Sequence, residues 1–213
     1  MKPLDYWNEA AATKEFTTPF QLDLFAGLVD REALVLDIGC GYGRILNDLH
    51  AAGYRRLLGQ DFSPDMIARG RRLFPHLDLT VSPEDGLGLA EASVDAVILA
   101  AVLTCIIKDV DQAALIEQIR RVLKPGGILY INDFLLNTDG RNLERYARDE
   151  AKFGCYGVFE LPEGATVRHH EPERLRATLL APFEELRFEP VVYTTMNGNQ
   201  SNGFYYLGRR PAA

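Results

Sequence analysis

Little in this chain would take it out of the class of soluble globular proteins. Only three cysteines occur, Cys40, Cys105 and Cys155, and they lie far apart. An odd, scattered set offers neither a disulfide framework nor zinc-ligand spacing, and it fits a reducing compartment. No run approaches the ~18 apolar residues of a membrane-spanning helix, and Met1-Lys2-Pro3-Leu4-Asp5 lacks a signal-type apolar stretch. These absences lead to the expectation of a soluble cytoplasmic protein with no membrane partner. Basic charge is scarce as well: 23 Lys and Arg against 30 Asp and Glu give a net charge of −7. The pairs Arg55-Arg56, Arg71-Arg72 and Arg120-Arg121 are scattered, which disfavours a nucleic-acid face. Repeats, low-complexity tracts and flexible linkers are missing too. With 47% hydrophobic residues over 213 positions, one core within a single domain spanning 1–213 is expected.

What is present is concentrated at Val35-Leu36-Asp37-Ile38-Gly39-Cys40-Gly41-Tyr42-Gly43-Arg44. An apolar run reads as a buried strand, ends on an acid and passes into a glycine loop, after which Ile45, Leu46 and Leu49 take up helical spacing. Strand, glycine turn and helix bring backbone close to a ligand beside a helix N-terminus. In a dinucleotide fingerprint two residues separate the last two glycines, but here only Tyr42 does. The carboxylate ahead of the loop suits a ligand bearing a positive amine better than one bearing phosphates.

Strands then alternate with helices: Leu34–Ile38, a helix from Arg44, Arg56–Asp61, a helix from Pro64, Asp78–Val81, Val94–Ala101, a helix from Asp109 to Leu123, and Ile128–Asn132. Nearly unbroken apolar strands in this alternation predict a parallel sheet covered on both faces. Upstream, Tyr6, Trp7 and Ala10 form one helical face, and Phe20, Leu24 and Leu28 a second, with Thr17-Thr18-Pro19 as its start. In the Asp109 helix, Leu115, Ile119 and Val122 are the expected apolar side, and Pro125-Gly126-Gly127 the stop. Downstream come a charged helix over 139–152, an aromatic, glycine-rich insertion over 153–166 and a helix from Pro172 to Leu180. Two strand-like runs, Arg187–Thr194 and Gly203–Gly208, follow, and the turn residues between them predict a hairpin.

Together these segments resemble the class I S-adenosylmethionine-dependent methyltransferases. The glycine loop matches the family's first motif. Gly59-Gln60-Asp61-Phe62-Ser63-Pro64-Asp65-Met66 resembles the acid-ended second strand, and Ser93-Val94-Asp95-Ala96-Val97-Ile98 the fourth. Arg121-Val122-Leu123-Lys124-Pro125-Gly126-Gly127 resembles the turn before the fifth, supplied by Ile128-Leu129-Tyr130-Ile131. The resemblance covers roughly residues 33–135. It implies a Rossmann-like, doubly wound α/β fold: a seven-stranded, mostly parallel sheet ending in an antiparallel hairpin strand. The N-terminal 1–32 would be helical cover, 136–182 an acceptor-side insertion and helix, and 183–213 the hairpin.

The resemblance also implies roles for residues. Asp37 and the loop Gly39, Cys40 and Gly41 would lie along the methionine part of S-adenosylmethionine, with Asp37 acting on its ammonium. Asp61 would grip the ribose hydroxyls, Phe62 would pack on the adenine, and Ala100 would border the site where the fourth strand ends. S-adenosylhomocysteine would be the product. The third strand departs from the family pattern: where relatives carry Gly-Asp this chain has Ser82-Pro83, and proline has no backbone donor. Glu84 is the expected substitute. No Asn/Asp-Pro-Pro-aromatic motif marks base or glutamine amines, and Cys105 lacks the proline that precedes a cytosine-C5 nucleophile. Only Asp133, beside Asn132, follows the fifth strand, so no metal is expected. Acceptor-side chemistry is expected from His169, His170 and Tyr156, since histidine is a base near neutral pH. The leading expectation is methyl transfer to a heteroatom of a small molecule. A regulator that binds S-adenosylmethionine or S-adenosylhomocysteine without catalysis, and a protein or RNA methyltransferase, are the alternatives.

Overall fold

A computed structural model describes residues 3–83 and 86–212. The strands are β1 (Leu34–Ile38), β2 (Arg56–Asp61), β3 (Asp78–Val81), β4 (Val94–Ala100), β5 (Leu123–Phe134), β6 (Val158–Glu160), β7 (Thr166–Arg168), β8 (Glu184–Thr194) and β9 (Gln200–Arg209). The helices are α1 (Pro3–Ala10), α2 (Leu22–Ala26), α3 (Arg44–Ala51), α4 (Pro64–Leu73), α5 (Asp109–Val122), α6 (Gly140–Phe153) and α7 (Pro172–Ala177). Seven strands form one sheet in the order β3-β2-β1-β4-β5-β9-β8. β1 to β5 run parallel, while β9 pairs antiparallel with both β5 and β8. The expected fold class is therefore present. The order reverses at β1 and β4, the switch point outside which open α/β sheets take their ligands.

Alternation along each strand divides the apolar side chains between two faces. Leu36, Val97 and Leu129 meet Ile116 and Ile119 of α5 and Leu175 of α7 on one. Val35, Ile98 and Tyr130 meet Phe25, Leu46 and Ile67 on the other. Helix boundaries follow local chemistry. Ser63 caps α4 by accepting from the Met66 amide at 3.2 Å, with Pro64 at the first helical position. Asp139 caps α6 by accepting from Asn142, and Gly154 ends it at φ 64°.

Several local expectations need correction. α2 begins at Leu22 rather than after Thr18, and the buried side chains are Phe25 within it and Val29 just beyond it, not Leu24 and Leu28. Residues 16–21 run instead as an extended strap whose Thr18 and Pro19 carbonyls are bound by Arg44 of α3 and Asn132 of β5. In α5 the buried positions are Gln112, Ile116, Ile119 and Val122, while Leu115 lies at the edge. Gln112 is inside because its amide donates to the carbonyls of Leu103 and Ile106. Pro125-Gly126-Gly127 does not simply end a helix. It lies within β5, which starts at Leu123. The aromatic insertion holds a two-stranded sheet of β6 and β7, and α7 stops at Ala177.

Candidate functional site

The site is built at the C-terminal ends of β1, β2, β4 and β5. Gly39 and Gly41 hold φ of 70° and 56°, a region that costs any side chain bearing a Cβ. Space demands glycine as well. A Cβ on Gly39 would stand 2.5 Å from Val102, and one on Gly41 2.2 Å from the Phe16 ring. The loop thus leaves a bare backbone cradle between Val102 and Phe16. Cys40 turns its side chain inward, where a Cβ on Gly59 would come within 2.9 Å of the sulfur. It can serve a ligand only through its backbone.

Asp61 closes β2 and is almost fully buried. Its Oδ2 accepts from the Gly41 amide at 2.9 Å and its Oδ1 from the Ser63 amide at 2.8 Å. Burial raises its pKa, and these two amides pull it back. Each oxygen keeps a free lone pair, so the fixed carboxylate could accept from two adjacent hydroxyls. Phe62, next in sequence, leaves its ring 43% exposed, available as a flat apolar wall. Glu84 lies outside the described residues.

Asp37 is 1% exposed, and its Oδ1 has no hydrogen-bond partner among the described residues. Burial, and then the nearby Asp61, push its pKa up to about 8, against the pull of Arg44. The Arg44 Nε and the Asn132 Oδ1 are likewise buried without partners. Arg44 and Asn132 hold the strap. Arg44 donates to the Thr18 carbonyl at 2.5 Å, Asn132 to the Pro19 carbonyl at 2.5 Å, and Tyr130 bonds to Gln21. Orphaned buried acceptors and a donor beside a bare glycine cradle suit an amino-acid-bearing nucleoside, with Asp61 for its sugar. That is the fit S-adenosylmethionine requires. An open groove of about 530 Å³, bordered by Phe20, Arg44 and Asp48, adjoins this region.

Ala100 ends β4, and Ala101 follows at φ 56° with its amide on the Asn132 carbonyl at 2.7 Å. A non-glycine residue in that region is a local strain typical of ligand-binding turns. Asp133, fully buried, braces the next turn by accepting from the Thr104 amide at 3.2 Å. Desolvation raises its pKa to about 7, opposed by the amides of Phe134, Thr104, Leu103 and Val102. Among the described residues no group of three or more His, Cys, Asp or Glu side chains could hold a metal ion.

Three remote segments cover the cleft. Tyr6 of α1 is buried, and Trp7, Phe16 and Ala165 pack on the same cluster. Lys14 donates to Asn197 at 3.2 Å, Asn197 to Glu163 at 2.8 Å, and Thr17 to the Thr194 carbonyl at 2.8 Å. On α4, Arg69 donates to the Lys14 carbonyl at 2.7 Å, pairs with Glu15 at 2.6 Å and lies 4.1 Å over the Tyr42 ring.

The three acceptor-side candidates separate. His170 is buried, its Nε2 2.9 Å from the Gln112 amide nitrogen and its Nδ1 3.3 Å from the Phe134 carbonyl, so both ring nitrogens face protein groups. The His169 Nδ1 is 2.6 Å from the Tyr146 hydroxyl and 3.2 Å from the Asn137 amide nitrogen. Its Nε2 has no hydrogen-bond partner among the described residues. Desolvation lowers the two pKa values to about 3 for His169 and about 4 for His170. Tyr156 sits on the surface, 44% exposed, with its ring edge on Tyr146. Sequence reasoning missed Arg44, Asn132 and the strap. Arg44 had one available signal, its place at the first helical position after the glycines.

The family model described as a methyltransferase domain matches residues 35–127. A probable S-adenosylmethionine-dependent methyltransferase of Mycolicibacterium smegmatis is 36% identical over 107 residues, 50% of this chain and 38% of that protein. The 27-O-demethylrifamycin SV methyltransferase of Amycolatopsis mediterranei is 30% identical over 173 residues, 74% of this chain and 61% of its own length. The chain thus spans less than two thirds of these relatives. Among solved structures, an S-adenosylmethionine-dependent methyltransferase from Methanosarcina mazei superposes with a TM-score of 0.84 at 24% identity, over 92% of this chain and 99% of that one. At that identity it shows the shared fold.

Proposed function

We propose that the chain is a class I S-adenosylmethionine-dependent methyltransferase, a reading supported by the family match over residues 35–127 and by the relatives above, and that it methylates a heteroatom of a small molecule held beneath its N-terminal cover. When bound, S-adenosylmethionine supplies a methyl group already activated on a sulfonium. The chain's own work is to hold the two partners in line and keep water out. Asp61 takes the ribose hydroxyls, Phe62 flanks the adenine, and the backbone of Gly39, Cys40 and Gly41 borders the methionine chain, whose ammonium goes to Asp37. Ala100 and the strained turn after it separate donor from acceptor. Glu84 remains the proposed partner of the adenine amine. His169 is the acceptor-side candidate we carry forward. Held neutral by burial, it suits orienting an O–H or N–H better than taking a proton outright.

The observation that carries the small-molecule reading is enclosure. α1, the turn at Glu163 and the turn at Asn197 meet through Tyr6, Ala165 and the Lys14–Asn197–Glu163 chain of hydrogen bonds. A protein or RNA substrate would need the cleft open. The name of the Amycolatopsis relative points to a small-molecule acceptor and favours the same class for this chain. A screen of metabolite extract with isotopically labelled donor, read by mass, is expected to label one low-molecular-weight product. Label confined to protein or RNA would overturn the acceptor class, and no label with intact binding would favour the non-catalytic regulator.

A further inference from the structure

We propose that His169 binds the methyl acceptor by donating a hydrogen bond from its Nε2, so that the acceptor is a molecule presenting a carbonyl or anionic oxygen at that point. The proposal rests on the transferase reading above and gives the chemistry of its substrate. It starts from a buried side chain, Asn137, whose orientation backbone groups fix. The Asn137 Oδ1 accepts from the Asn202 amide at 2.7 Å, and its Nδ2 donates to the Leu135 carbonyl at 2.9 Å. The same Nδ2 lies 3.2 Å from the His169 Nδ1. An amide nitrogen only donates, so that ring nitrogen must accept. The Tyr146 hydroxyl leads to the same assignment. Its oxygen accepts from the Asn137 backbone amide at 3.2 Å, which leaves its proton for the His169 Nδ1 at 2.6 Å. With Nδ1 accepting from two sides, a neutral His169 carries its proton on Nε2.

That N–H is the ring's one uncommitted polar group. It has no hydrogen-bond partner among the described residues, and the buried side-chain atoms left without partners lie on other residues. The ring stacks on Phe134, at the end of β5, with centroids 5.7 Å apart, and Phe159 crosses it edge to face at 4.9 Å. The preceding residue, Arg168, accepts through its carbonyl from the Thr104 hydroxyl at 2.8 Å, in the turn after β4. His169 is therefore held at the C-terminal edge of β4 and β5, the edge that carries the donor cleft. Electrostatics agree. Desolvation, then the charges of His170, Arg145 and Arg141, keep the ring neutral at a pKa of about 3, against Asp139. A neutral donor with two cations near it suits an oxygen lone pair, and a ring that refuses a proton cannot act as the base.

Two-bond proton–nitrogen NMR on histidine-labelled protein tests the tautomer, with a spectrum of His169→Gln to assign the signal among the four histidines. His169 should show a bare Nδ1 and a protonated Nε2 from about pH 5 to 8. A proton on Nδ1, or titration near the ~6.5 of an ordinary histidine, would overturn the proposal. The labelled-donor extract supplies the second arm. The product formed by wild type should carry a carbonyl or ionisable oxygen, a comparison that needs no variant. His169→Phe should form it at least about tenfold more slowly, and His169→Gln, which restores an N–H donor, should recover part of the rate. A product without such an oxygen, equal rates in wild type and His169→Phe, or no recovery in His169→Gln would overturn the proposal and leave the transferase reading standing. No labelled product from wild type would refute that reading, and this proposal with it.

Discussion

Asp37 is a carboxyl group that its surroundings keep protonated well above the usual range, at a pKa of about 8. A ligand ammonium against its free oxygen would favour the ionised form, so binding should expel a proton. Affinity for S-adenosylhomocysteine is then expected to fall as the pH drops from 8 to 6, by up to about tenfold per unit. Asp37→Asn should flatten that dependence. Titrations at three pH values check this, and a slope retained in the variant would contradict it. The histidines act in the opposite sense. His169 and His170 have folded pKa values of about 3 and about 4, below the ~6.5 of an unfolded histidine. The unfolded chain therefore takes up protons first as pH falls below about 6.5, and stability declines from there towards pH 4. Asp37 and Asp133, raised to about 8 and about 7, act the other way on stability, so the test is a difference: on going from pH 7 to pH 5 the thermal midpoint of His169→Phe should change more favourably than that of wild type, and equal changes would contradict it.

Among the elements, the strap over 16–21 and the helix before it have the clearest consequences. Arg69 ties Lys14 and Glu15, just ahead of the strap, to α4 and lies over Tyr42, and Phe16 lies on the glycine loop. Cutting that tie should speed ligand entry and exit alike. Arg69→Ala is expected to raise both rate constants for S-adenosylhomocysteine in stopped-flow measurements, with a smaller change in their ratio, and unchanged rates would refute the strap as a cover. The glycine loop gives a sharper expectation. Gly41→Ala must place a Cβ against the Phe16 ring at a left-handed φ, so binding should be lost before the fold is. The strap was the element least legible in the sequence. Phe20, Leu24 and Leu28 have genuine four-residue spacing, but Pro19 and the anchoring of the Thr18 and Pro19 carbonyls by Arg44 and Asn132 hold the chain extended until Leu22. Those anchors come from residues 26 and 113 positions away, which no local pattern reveals. β1 to β4 read well for the opposite reason. They are short apolar runs punctuated by Gly39, Asp61 and Ser93, and their boundaries depend on neighbours in sequence.

Across the whole molecule, the sheet order β3-β2-β1-β4-β5-β9-β8 brings Asp37, Asp61, Ala100 and Asn132 to one end. That convergence follows from parallel strands, each ending at the same edge, and so strand-end residues alone are enough to propose a donor side. The acceptor side could not. Its cover is drawn from α1, the turn at Glu163 and the turn at Asn197, which meet only in three dimensions. His170, suggestive as a base in the sequence, proves to be a stitch between α5 and β5 through Gln112 and the Phe134 carbonyl. No described helix is long and apolar enough to cross a membrane. The proposed grip of Asp61 upon two sugar hydroxyls is tested most directly by equilibrium binding of S-adenosylhomocysteine to wild type and Asp61→Ala. Loss of two charge-assisted bonds should raise the Kd at least about a hundredfold, while the ligand-free protein still melts cooperatively, at a lower midpoint because the Gly41 and Ser63 amides lose their acceptor. Equal affinity in the two proteins would contradict it.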